Sequence, residues 1–311
     1  MSFSYTSMRM GFSKRVRELW FLYQGQLRTT HNLSESVRIR IKQLQNVEPA
    51  VFEHTGLKIT RLNILEIGSG QNSFSMPYFA SQNNKVIGID LNEIVSGFSL
   101  LRYYRIWQKN GLLRVIKTLG RKITGVDKKL NLELAKQLGV LSLPKLEVLN
   151  MDASNMSFPN ASFGFIFSKS VFEHIPEPSK VIDEVIRILK PGGCVYLSVH
   201  LYTSDSGCHD PKIFSGKRSD IPLWAHLRPQ YQAKVQPNAY LNKLSMNQWE
   251  QLFLSKMPGC FMKSLTGSKD RMADLIEELN QLRQEGELRE YRDEELLTVD
   301  YVAIWQKPKS F

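Results

Sequence analysis

NILEIGSGQNSF (Asn63–Phe74) joins a short apolar run to a Gly-x-Gly turn. A run of that length ending in glycine is what a strand buried on both faces presents. Glycines directly after such a strand permit positive φ and let the backbone approach a ligand closely. Alone, the stretch is explained equally well as a tight strand-to-helix turn. Gln71, Asn72 and Ser73 follow where further glycine is often found in a nucleotide-binding loop.

The same texture recurs along the chain. KVIGID (Lys85–Asp90), KLEVLNMD (Lys145–Asp152), SFGFIFSKS (Ser162–Ser170) and CVYLSVH (Cys194–His200) are further strand candidates. Ser73–Gln82 fits a helix with Pro77 in its first turn. Pro178–Lys190 places Val181, Ile182, Val185, Ile186 and Leu189 at helical spacing, and Pro191-Gly192-Gly193 stops it. Strands alternating with helices imply right-handed crossovers and five parallel strands in a doubly wound α/β sheet. Residues 1–58 read as a helical N-terminal extension before a main domain of 59–311. That domain carries a helical insertion at 91–144 and a less regular substrate or lid region at 201–258. Ser245 caps a helix running to Met257, and a charged helix over 270–285 lies between strands at Cys260–Leu265 and Thr298–Lys307.

Bulk composition narrows the class. No apolar run approaches the roughly 20 residues of a membrane span. The basic Met1–Arg17 stretch is followed only by a short LWFLY (Leu19–Tyr23), so no signal core is expected. Cys194, Cys208 and Cys260 are few and far apart, which argues for a reducing, cytoplasmic setting without disulfides. They form no repeated Cys-x-x-Cys, and adjacent Cys208-His209-Asp210 cannot wrap one ion well, so no metal is expected. The net charge of +11 suits an anionic partner without choosing one. The surplus concentrates in Arg102–Lys122, where Tyr103, Tyr104, Ile106, Trp107, Leu112 and Leu113 are interleaved with the basic residues. A solvated basic face is the plain explanation; peripheral contact with an anionic membrane is the functional one.

Ligands bind parallel sheets at the carboxyl ends of the strands. Asp90 ends the second strand, 20 residues after Gly70, where a carboxylate accepts ribose hydroxyls. Asp152 ends the third strand and can accept a hydrogen bond from an adenine amino group, which is no part of the dinucleotide fingerprint. With the VIDEVIRILKPGG segment, these elements resemble the class I S-adenosylmethionine-dependent methyltransferases over roughly residues 59–200.

The resemblance implies that Glu66, Gly68, Ser69 and Gly70 lie beside the methionine part of S-adenosylmethionine. It places Asp90 and Leu91 at the ribose, Asp152 and Ala153 at the adenine, and Ser168 near the sulfonium. It also implies a Rossmann-like sheet of seven strands in the order 3-2-1-4-5-7-6, the seventh antiparallel. The sequence departs from the family at Asn72, where a third glycine is frequent, and in the length of the 91–144 insertion.

A hydroxyl acceptor needs a general base. His174 follows the fourth strand, His200 ends the fifth and His209 lies on the next loop. Each has a plain alternative as a residue fixing its loop by hydrogen bonds. Trp224, His226, Arg228, Tyr240 and Asn242 can stack on and hydrogen-bond a sugar-like acceptor, or can equally form a second small core. The expected activity is O-methylation of a small polar or glycan acceptor, and the chain also looks like methyltransferases of bacterial surface-polysaccharide synthesis. No nucleic-acid module is recognised. RNA or protein methylation, a catalytically idle cofactor-binding or membrane-attached protein, and an NAD(P) oxidoreductase are the alternatives.

Overall fold

In the computed structural model, which describes residues 32–94, 100–214 and 221–309, β1 (Asn63–Ile67) and β2 (Lys85–Asp90) run parallel, with Asn63 opposite Lys85 and Ile67 opposite Ile89. β3 (Glu147–Asn150) extends the sheet parallel to β2. β4 (Phe163–Lys169), β5 (Leu189–His200), β6 (Phe261–Leu265) and β7 (Asp300–Gln306) complete seven strands in the order β3-β2-β1-β4-β5-β7-β6. β7 is antiparallel to both β5 and β6. Ile64, Leu65 and Ile67 in β1, and Phe165, Ile166 and Phe167 in β4, are essentially removed from water. Successive residues point to opposite faces, so these runs require cover on both.

By internal contacts the chain divides into two units. One holds residues up to Ala50 with Lys58–Ala153; the other holds Val51–Leu57 with Ser154–Phe311. Met1–Arg17 and Leu19–Tyr23 lie outside the described residues.

In the first unit, α1 (Leu33–Gln45) precedes α2 (Val47–Thr55), whose last turn belongs to the second unit. α3 (Ser75–Ser81) follows β1 with Pro77 in its first turn, where no intrahelical partner is lost. The 91–144 interval forms three helices, α4 (Leu100–Asn110), α5 (Leu112–Ile123) and α6 (Val126–Gln137). Gly111 and Gly125 separate them. α6 buries Leu130, Leu134 and Ala135, while α1 buries Val37, Ile41 and Leu44. Gln137 Nε2 donates to the Ser34 carbonyl, tying the two helices at one end.

In the second unit, a 3₁₀ turn (Phe172–His174) leads to α7 (Pro178–Ile188), which buries Val181, Ile182, Val185 and Ile188. The helix stops earlier than its apolar pattern implies, and Leu189 already belongs to β5. Phe163 pairs with Leu189 and Phe165 with Cys194, so Lys190–Gly193 form a bulge inside the strand rather than a turn before it. Lys307 explains the difference. Its ammonium donates to the Ile186 and Leu189 carbonyls at the end of α7, and its backbone exchanges hydrogen bonds with Gly192 and Gly193. A cation there satisfies the orphan carbonyls of a helix end.

Farther on, α8 (Pro211–Phe214) and α9 (Pro229–Gln232) are single turns. α10 (Met246–Lys256) has a complete capping box between Ser245 and Gln248. α11 (Lys269–Gln284) and α12 (Asp293–Leu297) supply Leu275, Leu279, Leu282 and Leu296 to a small core around Trp224 and Leu227.

The bulge makes a direct prediction. A Cβ on Gly193 would meet the Lys190 and Gly164 carbonyl oxygens at 2.9 and 3.0 Å. Gly193→Ala should lower stability in urea by about 1–3 kcal/mol. Gly120→Ala, in α5 with open space around it, should be neutral or raise stability by up to about 1 kcal/mol. Equal midpoints for Gly193→Ala and wild type would contradict the bulge.

Candidate functional site

The loop after β1 is built around a buried carboxylate. Glu66 is 6% exposed, and its two oxygens accept hydrogen bonds from the Ser73 and Ser75 hydroxyls, each at 2.8 Å. Ser73 Oγ also accepts from the Met76 amide, satisfying a free N–H at the start of α3. Asn72 Nδ2 donates to Asp127 of α6. Residues 72–75 therefore do hydrogen-bonding work where another glycine is frequent. Burial pushes the Glu66 carboxyl up to about 7; the two serine hydroxyls oppose this, and the Asp90 charge adds to it.

Gly68 and Gly70 have φ of 73° and 64°, the left-handed region that side chains disfavour. The Gly68 and Ser69 amides donate to the Ile89 carbonyl, hitching the loop to the end of β2. The Gly70 amide donates to Asp90 Oδ2 at 3.0 Å and the Asn92 amide to Oδ1 at 2.7 Å. Gly88, inside β2, must be glycine because a Cβ would meet Met76 Sδ at 2.7 Å and Ser69 Oγ at 2.8 Å. Ser69 Oγ is buried without a hydrogen-bond partner.

The end of β3 is tied to the same place. The Met151 amide donates to the Asp90 carbonyl and Asn150 Nδ2 to the Leu91 carbonyl. Leu91 is 67% exposed, Asp152 is exposed and Ala153 is half-buried. The first unit thus gathers Glu66, Gly68, Ser69, Gly70, Asp90, Leu91, Asp152 and Ala153 at the carboxyl ends of three adjacent strands. Ser168 belongs to the other unit, fully buried in β4 opposite Leu197.

The second unit brings the three histidines together. The His174 and His200 rings each meet the His209 ring edge-on, with centroids 4.8 Å apart. β5 and β7 place His200 opposite Asp300, and His200 Nδ1 lies 3.5 Å from Asp300 Oδ1. His200 Nε2 contacts the Ser204 and Ser206 hydroxyls at 3.3 and 3.2 Å. Glu173 is buried against His174 and His209, and burial, reinforced by the Asp300 charge, pushes its carboxyl up to about 8. Burial also lowers His174, and lowers His209 to about 3 with the neighbouring imidazoles adding. Neutral imidazoles beside a reluctant carboxylate can accept a proton or ligate a metal. Cys208 and Asp210 stand apart: Cys208 packs with Ile213, Ile221 and Ala225, and Asp210 accepts from the Lys212 and Gln236 amides.

Sequence reasoning missed Glu173 and Asp300. Glu173 precedes His174 directly, so the signal was local; Asp300 enters only through strand register.

Of the five acceptor candidates, Tyr240 is 48% exposed, and its carbonyl is 2.8 Å from His174 Nδ1. Asn242 Nδ2 donates to the Phe172 and Ile175 carbonyls, bracing the turn that carries Glu173 and His174. Trp224 is buried in the small core with Nε1 donating to the Leu296 carbonyl. Buried His226 bonds the Tyr202 carbonyl through Nε2, and Arg228 pairs with Glu287. The Trp224, His226 and Arg228 side chains are thus occupied in packing and pairing. Proline and aromatic residues mark a packed loop as readily as a binding loop.

The Glu66 burial has a pH signature. Its folded pKa of about 7 exceeds the ordinary 4.5, so its contribution is full below pH 4.5 and is lost as pH rises through about 7. Glu66→Gln cannot ionise. Its stability relative to wild type should rise by about 2–3 kcal/mol between pH 5 and pH 8 in urea unfolding. A pH-independent difference would contradict a buried, reluctantly ionised Glu66.

Residues 109–197 match the family described as a methyltransferase domain. The match covers β3, β4 and β5 and begins after the glycine loop and Asp90. The chain is 37% identical over 60 residues to an uncharacterized methyltransferase of Mycobacterium leprae, covering 19% of this chain and 22% of that one. It is 23% identical over 120 residues to the demethylmenaquinone methyltransferase of Paenarthrobacter aurescens, covering 39% of this chain and 41% of that one. These alignments span less than half of either relative. Among solved structures, an S-adenosylmethionine-dependent methyltransferase of Methanosarcina mazei is 20% identical with a TM-score of 0.42, over 84% of this chain and 97% of that one. Phosphoethanolamine N-methyltransferase 2 of Haemonchus contortus, bound to S-adenosyl-L-methionine, is 18% identical with a TM-score of 0.42, over 85% of this chain and 52% of that one. Over residues 109–197 the chain is thus similar to a methyltransferase domain, and its seven strands take the order that the class I resemblance implies.

Proposed function

We propose that this chain transfers a methyl group from S-adenosylmethionine to an oxygen of a small polar or glycan acceptor, with the imidazole cluster handling the acceptor's proton. The observation that carries the reading is the convergence of His174, His200 and His209 around Glu173, with Asp300 behind His200.

The first unit fits the cofactor. The Asp90 carboxylate is anchored by two backbone amides, which leaves lone pairs for ribose hydroxyls. Exposed Leu91 offers an apolar face to a purine, and Asp152 with Ala153 supplies an edge for its amino group. A Cβ on Gly70 would meet nothing within 4 Å, so ligand atoms have room there beside Gly68, Ser69 and Glu66. When bound, S-adenosylmethionine supplies a methyl carbon already activated by its sulfonium. The protein's own work is then alignment, exclusion of water and management of one proton.

In the second unit His174 is the most open of the three imidazoles, with a side chain 28% exposed against 10% for His200 and 13% for His209. Exposed Tyr240 beside it offers a flat surface for an acceptor ring. Asp300 orients His200, which in turn packs against His209. Trp224 and Arg228 set the shape of the neighbouring loop rather than touching the acceptor.

We also propose that α4 and α5 contact an anionic membrane peripherally. Leu100, Leu101, Tyr104 and Trp107 expose more than half of their surface in the stretch where the basic residues concentrate.

Calorimetry with S-adenosylmethionine, S-adenosylhomocysteine and NAD tests the cofactor assignment. Asp90→Ala should weaken S-adenosylmethionine binding by at least tenfold, because it removes hydrogen bonds to a charged acceptor. His174→Ala should leave that binding intact while abolishing transfer. Binding of NAD alone, or of neither, overturns the reading, as does equal loss of cofactor binding in both variants. Labelled cofactor offered with nucleotide sugars, lipid-linked glycans and tRNA identifies the acceptor; label only on tRNA refutes the small-acceptor assignment.

A further inference from the structure

Three electron-pair donors face one another at Glu173. His174 Nδ1 lies 2.8 Å from the Tyr240 carbonyl oxygen. A carbonyl only accepts, so Nδ1 carries the hydrogen and Nε2 the lone pair. That Nε2 is 3.9 Å from Glu173 Oε1, and His209 Nε2 is 4.0 Å from the same oxygen. Neither gap is a hydrogen bond. His209 Nε2 and both Glu173 oxygens are buried with no hydrogen-bond partner.

Native structures rarely leave three such atoms unsatisfied together, and one cation shared among them would satisfy all three. A proton joins two atoms at about 2.5–3.2 Å and cannot bridge three at these separations. An ion with bonds of about 2.0–2.2 Å to nitrogen and oxygen spans ligand atoms roughly 3–4 Å apart. One ligand atom from each of Glu173, His174 and His209 lies within 4.8 Å of the other two, so side-chain adjustments of about an ångström close the set.

We infer that Glu173, His174 and His209 form a binding site for a first-row divalent transition metal, with coordination positions left open. Two imidazoles and one carboxylate suit zinc, manganese, iron or cobalt, whereas magnesium and calcium take all-oxygen sites. His174 has the outer partner a metal ligand requires. The Tyr240 carbonyl fixes its tautomer, Asn242 braces the Phe172–Ile175 turn, and the His209 ring packs edge-on against His200. His209 has φ 51°, a conformation costing on the order of 1–3 kcal/mol that persists where surroundings over-determine it and that clusters at functional sites. Half-exposed His174 gives an ion a way in. Resting on the methyl-transfer reading, the ion would act as a Lewis acid on the acceptor hydroxyl oxygen, and the hydroxyl proton would pass to His200, the imidazole outside the ligand set.

The untagged full-length chain, stripped with chelator and dialysed, is titrated with cobalt(II), zinc and magnesium. The expected result is one cobalt per chain with visible absorption bands, displacement of cobalt by zinc, and no magnesium binding. His174→Gln and Glu173→Gln should each weaken cobalt binding at least tenfold. His174→Gln alters a partly exposed side chain and should fold; circular dichroism and retained S-adenosylmethionine affinity confirm it. Absence of cobalt bands, a preference for magnesium, or equal cobalt affinity in folded His174→Gln and wild type each overturn the site. Because S-adenosylmethionine binding is read separately at the other unit, a failed metal site leaves the cofactor assignment standing, and the reverse holds.

Discussion

Placing Glu66 out of water constrains the first unit. A carboxylate costs several kcal/mol to bury unless both oxygens find donors. Ser73 and Ser75 are those donors, and their positions fix the path of the chain from Gly70 into α3. With that path set, the Gly70 amide reaches Asp90, and the Asp90 carbonyl receives the Met151 amide from β3. One buried carboxylate thus organises three strand ends. Asn72, where a third glycine is frequent, instead donates to Asp127 of α6, and at the next position a glycine would leave one Glu66 oxygen and the Met76 amide without the Ser73 hydroxyl.

β1 and β4 were legible because each is apolar on both faces, a property carried entirely by local sequence. Where the sequence misled, a distant residue had intervened. The bulge at Lys190–Gly193 depends on Lys307, which supplies both a helix cap and a strand partner from the far end of the chain. The antiparallel position of β7 is likewise invisible in its own apolar pattern, and only the family resemblance supplied it. The insertion was recognisable as helical, but its division into three helices turns on Gly111 and Gly125, which a periodicity argument reads as ordinary interruptions.

The same distinction runs through the site. Asp90 ends β2 and Asp152 follows two residues after the end of β3, shorter than the sequence pattern implied, so both positions followed from strands recognisable in the sequence. The histidines were chosen singly, and strand register with the fold of the 201–210 loop joined them. Glu173 escaped notice because an acid on a loop ordinarily faces water, whereas this one is 2% exposed. The 220–242 segment read equally as recognition elements or as a second small core; Trp224 packs in a core and Arg228 pairs with Glu287.

A structural role alone does not account for the imidazole cluster. Phe172, next to Glu173, is fully buried and shows that the turn accepts an apolar side chain without strain on polar atoms. An apolar residue at 173 would remove a carboxylate that is buried, reached by no side-chain donor and pushed well above its ordinary pKa. Glu66 bears a similar burial but has serine hydroxyls on both oxygens, so its cost is offset within the fold. Glu173 is relieved by the backbone amides of Glu173 and His200 but by no side-chain hydroxyl. The difference between these two buried acids separates a group that builds the structure from one whose partner comes from outside it.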